Sequence, residues 1–488
     1  PYLPIELWGV VIKHACLAHR DPLDTTHELS FLEDSSSLLD TYRVAMRDKL
    51  ACCLVSRQWN AYAKEFLYEF VWISSASQAK SLAHLLILQS LDRSQLSQPL
   101  SYGSYIRRLH IETPVLELCA PLDLRSILEN APSLCIYSDH HSIQRPSSSD
   151  HYDRCSSEAI LKLVAQPTTR IRRLSWTCYT GSEAPLQPRL IPLWTNLAAN
   201  LEFLELKGSC DTGVRSDVFP VVTNDDMDTV HLPSLRALRM SLDDDAFAVL
   251  ASWSMPSLTH LSVLSPDFTN PGPGFEAFFQ SHGHKLVQLE LGHKPELTEE
   301  RYITVPPSAR SLAPSSTRSG SLLSSTTAES LPVWKKLAEW TPNLKEFVCA
   351  ADAEWHWQSA DWLPRHCLLP AHPNVELIGI RGIDVRLRED PDLLSGEAYF
   401  TLFEQLTSFL NPGDSSSSSL SSPSHSAAFP NLKFLRDMSR TSDRMRREQP
   451  RERVSQFWLR LVRRCKERGV WFEDCRGVNV SVASVLRA

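Results

Sequence analysis

Glycine is scarce in this chain, with 16 residues among 488. None falls into G-x-G-x-x-G or G-x-x-x-x-G-K-[ST], the loops whose backbone N–H groups cradle phosphates, so nucleotide binding has no support. H-E-x-x-H and G-x-S-x-G are also missing, which removes the common zinc-hydrolase and serine-hydrolase layouts. No apolar run approaches the roughly 18 residues of a membrane span, the longest candidate being the helical-looking stretch Leu82–Leu91. Positive charge is not in excess: the net charge of -7 provides no basic field for nucleic acid or an anionic membrane. The twelve cysteines contain no C-x-x-C and no compact framework, and apart from the neighbours Cys52 and Cys53 they stand singly. They read as reduced, mostly buried thiols. The opening Pro1-Tyr2-Leu3-Pro4-Ile5-Glu6 is not a charged leader followed by an apolar core, so an intracellular location, cytoplasmic or nuclear, is expected. A start on Pro1 rather than methionine leaves an upstream piece to be expected.

What is present is an ordinary globular balance, 42% hydrophobic and 22% charged, interrupted by 32 prolines and several serine tracts. At this length one core does not suffice; several domains or one elongated repeat array is expected. Near the start, Pro4 suits a first helical turn, and Leu7, Trp8, Val11, Ile12 and Ala15 form an apolar stripe at helical spacing. The stretch from about Asp21 to Asp40 reads as an inserted loop. Apolar residues return at Leu50, Cys53, Leu54 and Val55, then at Trp59, Tyr62, Phe66, Leu67, Tyr68, Phe70 and Trp72, as two short helices and an extended end.

These residues resemble the F-box family. Leu3, Pro4, Glu6 and Leu7 match its opening Leu-Pro-x-Glu-Leu. Leu50-Ala51-Cys52-Cys53-Leu54-Val55-Ser56-Arg57-Gln58-Trp59 is similar to its Leu-x-x-Cys-x-x-Val-x-Arg-x-Trp segment. The resemblance covers about residues 1–73, with the loop near 21–40 longer than the family's compact form. Independently of the family, a three-helix unit of this size cannot enclose Leu7, Trp8, Ile12, Val55 and Trp59 fully, so apolar surface is expected to be left for a partner.

Beyond residue 100 one phrase recurs: apolar-x-x-apolar-x-apolar, often introduced by Pro-x-Leu or Asn-Leu. It appears at Ile171, Leu174 and Trp176; at Leu201, Leu204 and Leu206; and again from Leu235, Leu258, Leu286, Leu344 and Val375. Where successive phrases run without a long interruption, their first residues lie 23 to 34 positions apart, the length of a strand, a helix and two turns. Helical patterns fill the gaps, among them Ala246–Trp253 and Val333–Trp340. The fold class expected is α/β: a short N-terminal three-helix F-box over 1–73, then an irregular βα solenoid over 74–480. Serine-rich loops are expected near 142–157, 308–330 and 412–428, where the apolar content is too low to offset ordering.

The repeat region resembles the degenerate leucine-rich repeats that follow F-boxes in fungal proteins. It departs from the family at the eighth position after the first leucine, where Tyr179, Ser209, Asp243 and Pro266 replace the usual Asn or Cys. The side-chain ladder of the turns is therefore not expected to form.

Few residues invite chemistry. Asp139, His140, His141, His151, Asp153 and Cys155 are zinc-donor types, but their spacing fits no zinc module, and a solvated loop is the plainer reading. Trp355 and Trp357 alternate around His356, with Trp362 nearby; on a strand the first two share a face, either as a partner-binding hot spot or as packing between repeats. The arginine-rich block Arg440–Arg468 reads as a solvated, partly amphipathic helix. No catalytic, metal or cofactor residue is expected.

What the resemblance implies is an adaptor of a cullin-RING (SCF-type) ubiquitin ligase. Leu3, Pro4, Leu7, Trp8, Ile12, Leu54, Val55 and Trp59 would dock onto a Skp-type adaptor protein. The solenoid would hold an unidentified protein substrate, so that proximity supplies the catalytic advantage. The alternative is an interaction scaffold that uses the same solenoid outside any ligase.

Overall fold

The computed structural model describes residues 5–16, 31, 37–92, 101–114, 117–140, 157–166, 170–177, 191–207, 229–241, 244–264, 272–292, 333–351, 371–388, 399–410, 428–447 and 452–486. The serine-rich stretches near 142–157, 308–330 and 412–428 lie outside these residues, except for the final positions 157 and 428. The chain divides into two compact units: Pro1–Ser30, Ser35–Ser241 and Ser252–Thr259 in the first, and Phe31–Asp34, Leu242–Ala251 and His260–Ala488 in the second.

The first unit opens with α1 (Ile5–Cys16), α2 (Ser37–Val55) and α3 (Arg57–Glu69). Ile12, Cys16, Cys53 and Ala63 are buried between them, with Trp59, Tyr62, Phe66 and Leu67 packed around. α2 starts at Ser37, inside the stretch expected as loop. The chain turns without a linker from α3 into strand β1 (Phe70–Ile73). There follow α4 (Ala76–Asp92), β2 (Arg108–Ile111), α5 (Pro121–Glu129), β3 (Ile136–Asp139), α6 (Ser157–Val164), β4 (Arg173–Thr177), α7 (Ile191–Leu197), β5 (Phe203–Lys207) and β6 (Ala237–Ser241). Each strand pairs in parallel with its predecessor in the chain. Register aligns Leu109, Tyr137, Leu174, Leu204 and Leu238 in one buried row.

The second unit repeats the plan with α8 (Asp244–Ala251), β7 (His260–Leu264), α9 (Pro273–His282), β8 (Gln288–Gly292), β9 (Glu346–Ala350), β10 (Leu377–Arg381), β11 (Phe434–Asp437) and β12 (Trp471–Glu473). Helices Val333–Trp340, Ile383–Arg388, Phe400–Ser408, Arg440–Arg447 and Glu452–Glu467 fall between its later strands. Its buried row is Leu261, Leu289, Phe347, Ile378, Leu435 and Phe472. The fold is thus mixed α/β with parallel strands, the class expected. The first apolar residue of each phrase, such as Leu201, Leu286 or Val375, is buried two positions ahead of its strand. Burying one such side chain is worth roughly 1.5–3 kcal/mol, which is why the phrase recurs even where the intervening sequence drifts.

A side-chain ladder does exist, on the entry side of the strands. In Pro-Asn-Leu and Pro-Asn-Val, the Asn amide donates to a carbonyl of the previous repeat: Asn343 to His284 at 2.7 Å, Asn374 to Pro342 and Asn431 to Pro373, both at 2.8 Å. In the first unit the serines of Pro-Ser-Leu do the same, Ser234 to Ala199 at 3.2 Å and Ser257 to Pro233 at 2.6 Å. Each bond satisfies a carbonyl that strand pairing does not reach. Tyr179, Ser209, Asp243 and Pro266, the positions that depart from the family pattern, lie outside the described residues.

Candidate functional site

On the N-terminal helices, apolar side chains face outward in two stripes. Leu7, Val10 and Val11 lie within one turn of α1, and Leu50, Leu54 and Val55 close α2; all six are exposed, Leu54 by 84%. A helix interrupted after Val55 explains the second stripe. Ser56 is extended (φ -162°) and caps α3 by accepting the Trp59 N–H at 3.2 Å, while the Asn60 amide donates to the Cys53 carbonyl at 3.2 Å. This turn leaves Val55 without helix neighbours beyond it. Trp8 and Trp59 are half-buried and face each other, ring centroids 5.3 Å apart. Of the expected docking residues, Leu7, Leu54 and Val55 are therefore on the surface, Trp8 and Trp59 form its floor, and Ile12 is inside the core. Leu3 and Pro4 lie outside the described residues. Two nearby thiols, Cys16 and Cys53, are buried in the helical core. Burial, then Cys52, pushes Cys16 up to about 12, and burial raises Cys53, so both stay protonated at neutral pH.

A second row of side chains lies on the other face of the strands, because side chains alternate along a strand, and most of it is buried too, Trp72, His110, Glu205, Ser262, Glu290 and Val348 included. In the first unit register places Trp72, His110, Ser138, Ser175, Glu205 and Arg239 along it. The Trp72 and His110 rings are 4.0 Å apart, and Arg239 lies 3.9 Å from Glu205. In the second unit Ser262, Glu290, Val348, Gly379, Arg436 and Glu473 form the corresponding row. Arg436 donates twice to Glu473, at 2.6 and 2.8 Å.

A close-set constellation in the second unit surrounds Glu290, whose carboxylate is almost fully buried. It accepts from the Ser262 hydroxyl at 2.5 Å and from Arg381 Nε at 2.5 Å. A buried carboxylate is tolerated only when paired in this way. Beside it, Gln288 Nε2 donates to the Glu346 carboxylate at 2.5 Å. A carboxylate can only accept, so the amide is oriented with Oε1 outward, and that oxygen receives the N–H of Phe31 at 2.6 Å. Arg381 also donates to the Phe31 carbonyl.

Trp355, Trp357 and Trp362 lie outside the described residues, as do His141, His151, Asp153 and Cys155. Among the described residues no group of three or more His, Cys, Asp or Glu is placed to hold a metal ion, and no helix is long and apolar enough to cross a membrane. The arginine block is partly internal: Arg446 is buried, and Phe457, Leu461 and Val462 face the core. Sequence reasoning overlooked Phe31, Gln288, Glu290 and Arg381. The available signal was a charge set between core positions of the phrase, as in Leu289-Glu290-Leu291, and Phe31 as the one aromatic of the insert near 21–40. No family model matches this chain, and no curated protein matches it.

Proposed function

We propose that the chain is a substrate-recognition adaptor of an SCF-type ubiquitin ligase, with α1 and the end of α2 docking onto a Skp-type adaptor protein and the strand faces receiving a protein substrate. The supporting observation is the concentration of exposed apolar side chains, Leu7, Val10, Val11, Leu50, Leu54 and Val55, on a small helical unit. Water-exposed apolar stripes of this kind mark interaction sites, and three of these residues are ones to which the F-box resemblance assigns docking. In this reading α1–α3 and the βα repeats are an F-box and a degenerate leucine-rich-repeat solenoid. The repeats hold a substrate, and the chain contributes proximity rather than a reactive side chain.

The test is co-purification of the chain with a Skp-type adaptor. The wild type is expected to retain it, and Leu54→Asp with Val55→Asp to lose it, since two buried charges at an interface centre cost several kcal/mol, roughly. Both positions are exposed in the free chain, so the unfolding midpoint is expected to be unchanged. Retention by the variant, or no retention by the wild type, overturns the docking assignment.

A further inference from the structure

Phe31 lies in sequence between α1 and α2, yet it belongs to the second compact unit, where it is buried. Its N–H is taken by Gln288 and its carbonyl by Arg381, so the two main-chain groups of one residue are held by side chains from two strands, β8 and β10. Its ring stands edge-on to His260 of β7, centroids 6.5 Å apart. Beneath it, Gln288, Ser262 and Glu290 are fully or almost fully buried although all three are polar. A contact serving only to hold the chain would be made most cheaply by apolar side chains packing together. Here the sheet instead grips backbone, which every peptide carries, and reads one aromatic side chain. The connection that carries Phe31, 20 residues between Cys16 and Ser37, is far longer than usual connections between helices, and long connections in compact proteins commonly carry function.

We propose that the polar strand face at Gln288, Glu290 and Arg381 is a peptide-binding site that this chain fills with its own Phe31. The outside ligand it takes is a segment of another protein presenting an aromatic residue in the same place. Gln288 is the acceptor for that residue's N–H, Arg381 the donor to its carbonyl, and Glu290 holds the guanidinium in position. Phe31 then acts as an internal competitor whose attachment to the chain gives it an effective concentration of the order of millimolar, and only a ligand that outcompetes it gains the face. The inference takes its biological use from the adaptor reading and its chemistry from the Phe31 contacts alone.

The probe is a fluorescent peptide with the sequence of residues 27–35, His-Glu-Leu-Ser-Phe-Leu-Glu-Asp-Ser, titrated by anisotropy against the full chain with no adaptor protein present. The wild type is expected to bind it weakly, Phe31→Ala at least about tenfold more tightly because the tethered competitor is gone, and Phe31→Ala with Arg381→Met no better than the wild type. The same peptide with its phenylalanine replaced by alanine is expected not to bind. A measurement on the wild type covers the case in which Phe31→Ala unfolds: saturating peptide is expected to speed hydrogen exchange at the Phe31 amide. Equal affinity of wild type and a folded Phe31→Ala chain, or a Phe31 amide indifferent to peptide, overturns the proposal. Neither assay involves Leu54 or Val55, so failure here and failure of adaptor docking are separate results.

Discussion

Arg446 Nη1 donates to the Asp437 carboxylate at 3.0 Å, with side chains 4% and 0% exposed. The guanidinium also lies over the Trp458 ring, 4.7 Å from its centroid, so one arginine joins β11 to the helix Glu452–Glu467. Burial raises Asp437 to about 6 in spite of Arg446 and the Ser439 N–H, both of which lower it. Arg446→Met is therefore expected to cost about 3–5 kcal/mol by stranding a buried carboxylate, while Arg446→Met with Asp437→Leu should recover most of that loss. Urea unfolding of the two variants measures the difference. A single variant as stable as the wild type contradicts the pairing.

The entry-side ladder makes a second prediction. Asn374 and Asn431 each donate one amide bond to the repeat before them, and such a bond contributes about 1 kcal/mol net. Asn374→Ala and Asn431→Ala are each expected to lower stability by about that amount, visible as a shift in the urea midpoint at constant slope. Asn374→Asp, which keeps size but replaces the donor with an anion beside a carbonyl, should cost more than Asn374→Ala.

The contrast between what was and was not legible in the sequence has a physical origin. Leu204 or Leu289 announces itself because every repeat must bury a side chain there, so the same residue type returns at each step. Glu290 alternates with two of those leucines and was visible as a charge, but nothing local says whether it meets water or Arg381, 91 positions away. Phe31 is harder still: its hydrogen-bond partners lie 257 and 350 residues off, and periodicity carries no information across that distance. Leu7 and Ile12 were read as one apolar stripe of α1, yet Leu7 is exposed and Ile12 is buried; helical spacing selects a face but not which part of it the neighbouring helices cover. α2 begins at Ser37, and its Tyr42 packs against Phe70 and Trp72 of β1, contacts that local sequence does not announce.

Gly103 gives a third test. A Cβ at this position would lie 2.0 Å from the Asn130 carbonyl oxygen. That oxygen cannot retreat easily, because Asn130 closes α5 through its own N–H to Ile127 at 3.1 Å. Gly103→Ala is expected to destabilise the first unit by about 1–3 kcal/mol, the usual range for overpacking. Gly469→Ala, with open space around its Cβ but φ +73°, is a control of different origin: it should lose roughly 1 kcal/mol through backbone strain alone.

His282 contributes to the acid sensitivity of the second unit, as does His372, which burial also lowers. The Leu250 carbonyl, 3.2 Å from Nε2, can only accept, so Nε2 carries the proton; Nδ1 then accepts from the Lys285 ammonium at 3.0 Å. A second proton on the ring would have to sit between Nδ1 and that ammonium. Burial first, then Lys285, with a smaller push from His284, hold His282 down to about 4. The folded state thus binds fewer protons than the unfolded chain between pH 4 and the ordinary histidine value near 6.5, and stability rises with pH across that window. The contribution is complete above about 6.5 and is lost as pH falls through 4, at most about 3 kcal/mol. Asp437 runs the other way. Its contribution, from a carboxyl raised above its unfolded value, is present below about pH 4 and lost as pH rises through 6. His282→Gln, which keeps a donor for Leu250 but cannot titrate, should therefore remove its share of the acid-side loss and flatten the rise between pH 4 and 6.5, leaving the smaller opposed contributions of His372 and Asp437. Urea unfolding at half-unit pH steps separates the two, and a variant curve parallel to the wild type would show that His282 is not the group responsible.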